Sequence, residues 1–207
     1  MYNVTGNCIF ASKHVSIGSE ESGGVRNITI EDSILGAVAK VDGSQVEPFG
    51  GFAAGVHLKA ERGRGGYIKG VTLQRLQFLG PISQPIFISM FYSDARNATN
   101  ASATPSFADI TIRDIVVLSA TGVVDGKLGQ PMKKGWAGAL VGLPEQPIKG
   151  LVLHNVSVRL SPHAKVKPNV EPWLCADVLS GSATLVTPAV PPHCFASNEN
   201  ADVKIDP

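Results

Sequence analysis

One pattern of alternating apolar and polar residues recurs along this chain. It reads polar, apolar, Thr, apolar, polar, polar, apolar or small, any residue, apolar, with Val replacing Thr in the last copy. Alternation with a period of two, rich in β-branched residues, is typical of β-strands. Each copy therefore predicts two strands joined by a short polar bend. The copies begin at Tyr2, Arg26, Lys69, Ala108 and Lys149.

The copies start about 24, 43, 39 and 41 residues apart. A further short strand is predicted between most of them, at residues 14–18, 55–59, 85–90 and 137–142. No segment shows a long amphipathic period of 3.6. Evenly spaced short strands without helices predict an all-β solenoid whose stacked coils form parallel sheets. The alternative is an antiparallel sandwich, which would not require one motif at regular intervals.

Charge and composition exclude several classes of protein. The 207 residues carry 18 Lys and Arg against 17 Asp and Glu, a net charge of +1, which argues against a broadly basic nucleic-acid binder. No apolar run approaches the roughly 20 residues of a membrane helix. Glycine-rich nucleotide loops and paired CxxC metal sites are absent. We therefore expect neither nucleic acid nor membrane as a partner.

Sequons and cysteines point to an oxidising compartment. Asn-X-Ser/Thr occurs five times; Asn97 and Asn100 lie in a Ser/Ala/Asn-rich stretch typical of a glycosylated loop, whereas the other three fall in the strand repeat. Cys175 and Cys194 would close a loop of about 20 residues as a disulfide. Cys8 then remains, as a buried thiol or as a residue whose partner lies upstream. With no signal peptide at Met1, we expect a secreted protein whose N-terminal part is absent here.

Two segments carry a more specific motif. Residues 14–29 contain Ile17-Gly18-Ser19-Glu20 followed by Ser22-Gly23-Gly24, and residues 55–68 contain Gly55-Val56-His57-Leu58-Lys59 followed by Gly63-Arg64-Gly65-Gly66-Tyr67. Together, in this order and spacing, they resemble glycoside hydrolase family 28, the pectin-degrading polygalacturonases, and especially its plant-type members. The segment Pro172–Asp177 and the later Pro191–Cys194 are similar to the end of those proteins. The resemblance runs from about residue 7 to residue 195.

The resemblance implies a right-handed parallel β-helix with a single chain winding through it. It also implies inverting hydrolysis of α-1,4-galacturonosyl bonds, which requires one carboxylic acid and one carboxylate base. The family takes these from Asn-Thr-Asp and Asp-Asp motifs upstream of the Gly-Ser-Glu stretch, and this chain contains neither motif. We therefore expect a C-terminal portion, truncated at its N-terminal end and inactive alone. Residues 1–180 would form the rungs and residues 181–207 a tail tied by the disulfide.

The family motifs also suggest binding residues. The family's Gly-His-Gly falls on Ser12, Lys13 and His14, so either Lys13 or His14 would polarise the catalytic region, unless the pair lies solvated at a turn. The family's Arg-Ile-Lys becomes His57-Leu58-Lys59. Strand alternation puts His57 and Lys59 on the face opposite Val56 and Leu58, where cations would bind galacturonate carboxylates.

The remaining expectations concern Arg64, the acidic residues and the partners. Arg64 would either reach substrate or buttress its turn, and Glu20 is interpreted as part of a turn. His154, His163 and His193 follow no metal-ligand spacing, so no metal or cofactor is expected. We expect a monomer of the extracellular space or cell wall that binds an acidic polysaccharide, galacturonan or pectin. The alternatives are a non-catalytic polysaccharide-binding or structural β-helix, and a β-helix of another class such as a lyase.

Overall fold

The computed structural model describes residues 13–36, 54–91, 103–120, 136–160 and 171–195. These residues form ten strands and one short 3₁₀ helix, Pro192–Phe195. The strands are β1 Lys13–Ile17, β2 Val25–Leu35, β3 Ala54–Lys59, β4 Tyr67–Ile82, β5 Gln84–Ser89, β6 Ser106–Ala120, β7 Gly138–Val141, β8 Lys149–Leu160, β9 Trp173–Ala176 and β10 Gly181–Thr187.

Alternate strands belong to two separate sheets. The first sheet has the order β1-β3-β5-β7-β9, and the second sheet has the order β10-β8-β6-β4-β2. Every pairing between these strands is parallel, and neither sheet closes on itself. The prediction of an all-β parallel β-helix is confirmed, and the alternative of an antiparallel sandwich is wrong. The right-handed winding and the truncation stay predictions, and the first copy of the repeat lies outside the described residues.

The register of the second sheet places equivalent residues of successive copies side by side, with shifts after Phe78 in β4 and after Val117 in β6. In the second sheet Ile28 pairs with Val71, Val71 with Ile110, and Ile110 with Leu151. The last three are completely buried. Because side chains alternate across a strand, each such column continues the core from one rung to the next. Each fully buried aliphatic side chain contributes about 1.5–3 kcal/mol of transfer free energy.

The long strands of the second sheet bend at one position that is shared by all five. The residues there have left-handed backbone conformation, with φ between 50° and 55°. Their neighbours are paired in register, so the bends lie directly over one another. Asn and Asp tolerate this conformation better than most residues. The short polar bend is present in the four copies that the structure describes, but each of these copies is one continuous strand rather than the two that were predicted. The five residues are Asp32, Arg75, Asp114, Asn155 and Leu185.

A second row of left-handed residues lies nearer the start of the same strands. It consists of Asn27, Gly70, Asp109 and Gly150, with φ from 53° to 64°. An added Cβ at Gly70 would come within 2.9 Å of the Asn27 side chain, so glycine suits this close approach. The two rows of bends together let one long strand wrap around the core.

The C-terminal part is tied to the stack by a disulfide between Cys175 and Cys194, with 5.2 Å between their Cα atoms. The indole of Trp173 donates a hydrogen bond to the carbonyl of Pro188 at 2.8 Å. β10 falls inside the segment predicted as a tail, yet it pairs with β8 and continues the second sheet. The division into two parts at residue 180 stays a prediction.

Core packing can be tested in β6, the middle strand of the second sheet. Ile112 is completely buried, whereas Val116 on the same strand is 40% exposed. We expect Ile112→Ala to lower the free energy of unfolding by about 2–5 kcal/mol, because it leaves a cavity between rungs. Val116→Ala should change it by about 0.5 kcal/mol or less. Urea unfolding of both variants measures the difference, and equal effects would contradict the assigned faces.

Candidate functional site

The first sheet carries the residues that the sequence selected for substrate binding. Val56 and Leu58 of β3 belong to the main core and are completely buried. His57 lies on the opposite side of the strand, where it meets Phe87 of β5, its partner in the strand register. The prediction that Val56 and Leu58 point into the coil is confirmed. The same alternation assigns Lys59 to the side of His57.

The predicted exposure of His57 and Lys59 in an open groove is wrong. Only 2% of His57 and 6% of Lys59 are exposed. The His57 ring packs edge-on against Phe87, with ring centroids 4.7 Å apart and planes at 86°. Phe87 in turn belongs to a second apolar cluster on this side of the sheet, with Trp136, Ala139 and Val141. Alternation fixes the side of the strand to which a residue points but not whether that side is covered.

His14 occupies a different environment from His57. Its ring lies 5.9 Å from that of Phe78, a completely buried residue of the main core. Burial lowers the pKa of His14 below its usual 6.5, because it disfavours the charged ring. Lys13 precedes it in β1, where its backbone pairs with Ala54, and its side chain lies outside the described residues. A catalytic role for either residue stays a prediction.

Arg64 connects the turns that follow β1 and β3. Its guanidinium donates a hydrogen bond to Ser19 Oγ at 3.1 Å and forms ion pairs with Glu20 and Glu61. The sequence left open whether Arg64 buttresses its turn or reaches substrate. These contacts do join the two turns, while 37% of the side chain remains exposed. Glu20 lies in this turn, ion-paired and largely exposed.

The glycine-rich motifs have a steric origin. A Cβ on Gly66 would overlap the backbone carbonyl of Glu21, and one on Gly18 would overlap the carbonyl of Lys59. Both glycines also have positive φ, 76° and 89°. The turn after β1 therefore lies directly against the turn after β3, and only glycine permits this approach.

Glu21 is an unusual residue that the sequence did not single out. Only 3% of it is exposed, and neither carboxyl oxygen has a hydrogen-bond partner among the described residues. Burial raises its pKa from 4.5 to about 7, although its own backbone amide and the charge of Arg64 act to lower it; the charges of Glu20 and Glu61 add to the rise. The signal in the sequence was the doubled Glu20-Glu21, whose two members the strand-to-turn transition separates into one exposed and one buried side chain.

Arg62 forms the next ion pair along this end of the first sheet. It binds Glu145 with two hydrogen bonds, of 2.6 and 2.9 Å, and its guanidinium lies 4.9 Å from the centre of the Phe91 ring. The pairing lowers the pKa of Glu145. We call this end of the sheet the charged border, consisting of Glu20, Glu21, Glu61, Arg62, Arg64 and Glu145. Its acids are held by arginines, except for the buried Glu21.

Of the other residues considered in the sequence, the remaining histidines and the glycosylation sites, only some belong to the part of the chain that the structure describes. No group of three or more His, Cys, Asp or Glu there could hold a metal ion. His154 shares a hydrogen bond with Thr184, and His193 lies 3.4 Å from Glu171. His163 and the predicted glycosylation sites Asn97 and Asn100 lie outside the described residues. In the part of the chain that the structure covers, no helix is long and apolar enough to span a membrane.

Comparison with known proteins gives a distant relative. A probable polygalacturonase from Vitis vinifera is 26% identical over 175 residues, which cover 84% of this chain and 29% of the relative. The chain thus aligns with less than a third of that protein's length. No family model matches the sequence, and no solved structure matches it. The similarity suggests a distant relationship to polygalacturonases that extends over most of the chain.

The buried Glu21 predicts how the free energy of unfolding changes with pH. Its pKa in the folded state is above the usual value, so its unfolded form ionises first as the pH rises. The contribution of Glu21 to the free energy of unfolding is complete below pH 4.5, and it is lost as the pH rises through about 7. We expect Glu21→Gln to remove this loss and to be more stable than the parent at pH 8, by on the order of 1–3 kcal/mol.

Urea midpoints at pH 4.5, 6 and 8 measure this effect, with Glu20→Gln as the matched control. Arg64 lowers the pKa of Glu20, so the contribution of Glu20 is lost as the pH falls rather than as it rises. Parallel profiles for the parent and Glu21→Gln would refute the assignment.

Proposed function

We propose that this chain is part of a polygalacturonase-type glycoside hydrolase that acts on the galacturonan backbone of pectin with inversion. The observation that carries the proposal is the alignment with a probable polygalacturonase over 84% of the chain. The parallel stack of strands that the family resemblance implied supports it. A stack of this kind offers one strand per rung to a polymer, so successive sugars can meet equivalent positions.

Galacturonan carries one carboxylate per sugar, so its binding requires cations at repeated positions. In our proposal Arg64 meets substrate directly, because it is the more exposed cation of the two turns. Lys59 and His57 act from beneath the surface by adding positive potential, His57 only when protonated. Lys13 and His14 lie on the neighbouring strand β1 and are the proposed polarising groups.

The acid and base of the reaction are proposed to come from outside this chain. Inversion requires a protonated carboxyl and a carboxylate on opposite sides of the scissile bond. In the charged border Glu20, Glu61 and Glu145 are bound to arginines, and Glu21 is buried. The sequence also lacks both aspartate motifs of the resembled family. This chain would then supply binding, and by itself it would not cleave the polymer.

The disulfide bears on the compartment in which we propose that the protein acts. A disulfide at Cys175–Cys194 suits an oxidising compartment. We propose a secreted, monomeric glycoprotein of the cell wall, with glycans at Asn97 and Asn100 and with no bound cofactor.

A second function is a non-catalytic polysaccharide-binding β-helix. It is favoured by the arginine-bound acids of the charged border and by His57 at the position of the family's arginine, since an imidazole cannot make the bidentate contact of a guanidinium. The transcript upstream of Met1 separates the two functions. In-frame Asn-Thr-Asp and Asp-Asp motifs would support the hydrolase, and their absence would support the binding protein.

Binding to galacturonate hexamer tests the substrate class directly. By calorimetry we expect at least tenfold weaker binding of a neutral hexasaccharide, because that ligand offers no carboxylates. Arg64→Gln should weaken galacturonate binding about two- to fivefold, the range of an exposed ion pair. Arg113→Gln, on the second sheet, is the control and should bind like the parent.

Equal affinity for the acidic and neutral hexamers would contradict the proposal. Reducing ends should not accumulate when the chain is incubated with polygalacturonate. Their release would show that an acid and base lie within this sequence, and would overturn that part of the proposal.

A further inference from the structure

The second sheet carries exposed cations in one straight row. In the strand register Arg26 pairs with Lys69, Lys69 with Ala108, and Ala108 with Lys149. The three cationic residues are exposed, while their neighbour Ile68 is completely buried, so the row faces outward. We call Arg26, Lys69 and Lys149 the basic row. It belongs to a different sheet from His57 and Lys59 and was not among the candidate sites in the sequence.

The charged residues at the bend of this sheet are paired with one another, unlike those of the basic row. At the bend shared by the five long strands, Arg75 forms ion pairs with both Asp32 and Glu31. One rung further along, Asn155 donates a hydrogen bond to Asp114 at 2.7 Å. At the bend positions the two aspartates outnumber the single arginine, which is held by carboxylates of the adjacent strand. The bend therefore carries no net positive charge.

The basic row is not neutralised in the same way. Arg26 and Lys69 stand directly opposite each other on adjacent strands, where like charges repel. Asp109 lies 3.7 Å from Lys69, but the side chains are 62% and 60% exposed, so water weakens their attraction. The row therefore carries a net positive charge at an energetic cost to the fold. A bound polyanion would remove that cost.

We propose that the basic row is a second binding surface for a linear polycarboxylate sugar chain, lying along the direction in which the rungs stack. The rungs of a sheet are about 4.8 Å apart, so the row extends about 14 Å from Arg26 to Lys149. A single small anion reaches one or two of these cations. A polymer with a carboxylate on every unit reaches all three, and its extended shape matches the straight row.

The next outward column of the second sheet supplies hydroxyl groups. Thr29 pairs with Thr72, and Thr72 pairs with Thr111, so three rungs present the same side chain. Threonine hydroxyls both donate and accept hydrogen bonds, as sugar hydroxyls do. Cations beside a column of hydroxyls are suited to an acidic sugar, because sugar hydroxyls can both donate to threonine oxygens and accept from them, whereas an ionised phosphate can only accept.

The sugar class rests on the proposed function, since galacturonan is the polycarboxylate that the chain's relative suggests. Two surfaces on two sheets would let one molecule hold a polymer at two places, and the second contact would then raise the overall affinity.

The test compares two double variants with the same change in net charge. Arg26→Gln with Lys149→Gln removes two cations of the basic row. Arg113→Gln with Arg159→Gln removes two exposed cations elsewhere on the second sheet. With galacturonate hexamer at low salt, we expect the first double variant to bind about three- to tenfold more weakly than the second. At 0.5 M salt this difference should largely disappear, because screening weakens exposed charge pairs.

Ala108→Lys provides a gain-of-function arm, because it completes the row between Lys69 and Lys149. We expect it to bind the hexamer at least twofold more tightly than the parent, and Ala108→Gln, of similar length without charge, to leave affinity unchanged. Thermal unfolding of each variant checks that the stack is intact.

Equal losses in the two double variants, or no gain with Ala108→Lys, would overturn the proposal that the basic row binds the polymer. The proposed function would not be affected. Absence of hexamer binding by the parent would overturn the proposed function, and with it the ligand assigned to the row.

Discussion

The fold depends on bends that lie in register. At each rung of the second sheet the long strand turns at a residue with left-handed backbone conformation, and the five bends lie directly over one another. A bend displaced by one residue would send every inward side chain of that strand outward, because the side-chain period is two. The register of the bends therefore decides which residues form the core and which form the surface.

Stacking in register also makes the surface repetitive along the axis. A residue type that recurs at one position of the repeat becomes a column, and the columns differ in their chemistry. Threonines recur at Thr29, Thr72 and Thr111, opposite charges pair at the bend of Asp32 and Arg75, and cations accumulate in the basic row. A surface of this kind is suited to a polymer with its own repeat, which is the property that the proposed substrate has.

Much of the fold could be predicted from the sequence, because the stacked coils repeat one local pattern. The copies of the repeat at residues 26, 69, 108 and 149 correspond to β2, β4, β6 and β8. The positions of Arg75 and Leu185 at left-handed bends could not be predicted from residue type, since neither favours that conformation. Their bends follow from those of their neighbours. Tertiary stacking thus overrides local preference at these two rungs.

The candidate site was less predictable, because burial depends on contacts between distant segments. Alternation correctly placed His57 opposite Val56 but could not anticipate the apolar cluster of Phe87 and Trp136 on that side. The buried state of Glu21 arises where two glycine turns meet, 45 residues apart in the chain between Glu21 and Gly66. Neither turn alone indicates that contact.

Disulfide trapping tests the stacking most directly. In a Cys8→Ser background, Thr72→Cys with Thr111→Cys places two thiols on adjacent rungs in register. Thr72→Cys with Val152→Cys places them in the same column two rungs apart, at about 9.6 Å, which is too far for a disulfide. The stacked register predicts that mild oxidation crosslinks the first pair within one molecule and leaves the second reduced. Efficient crosslinking of the second pair, or failure of the first, would contradict the stacking on which the account rests.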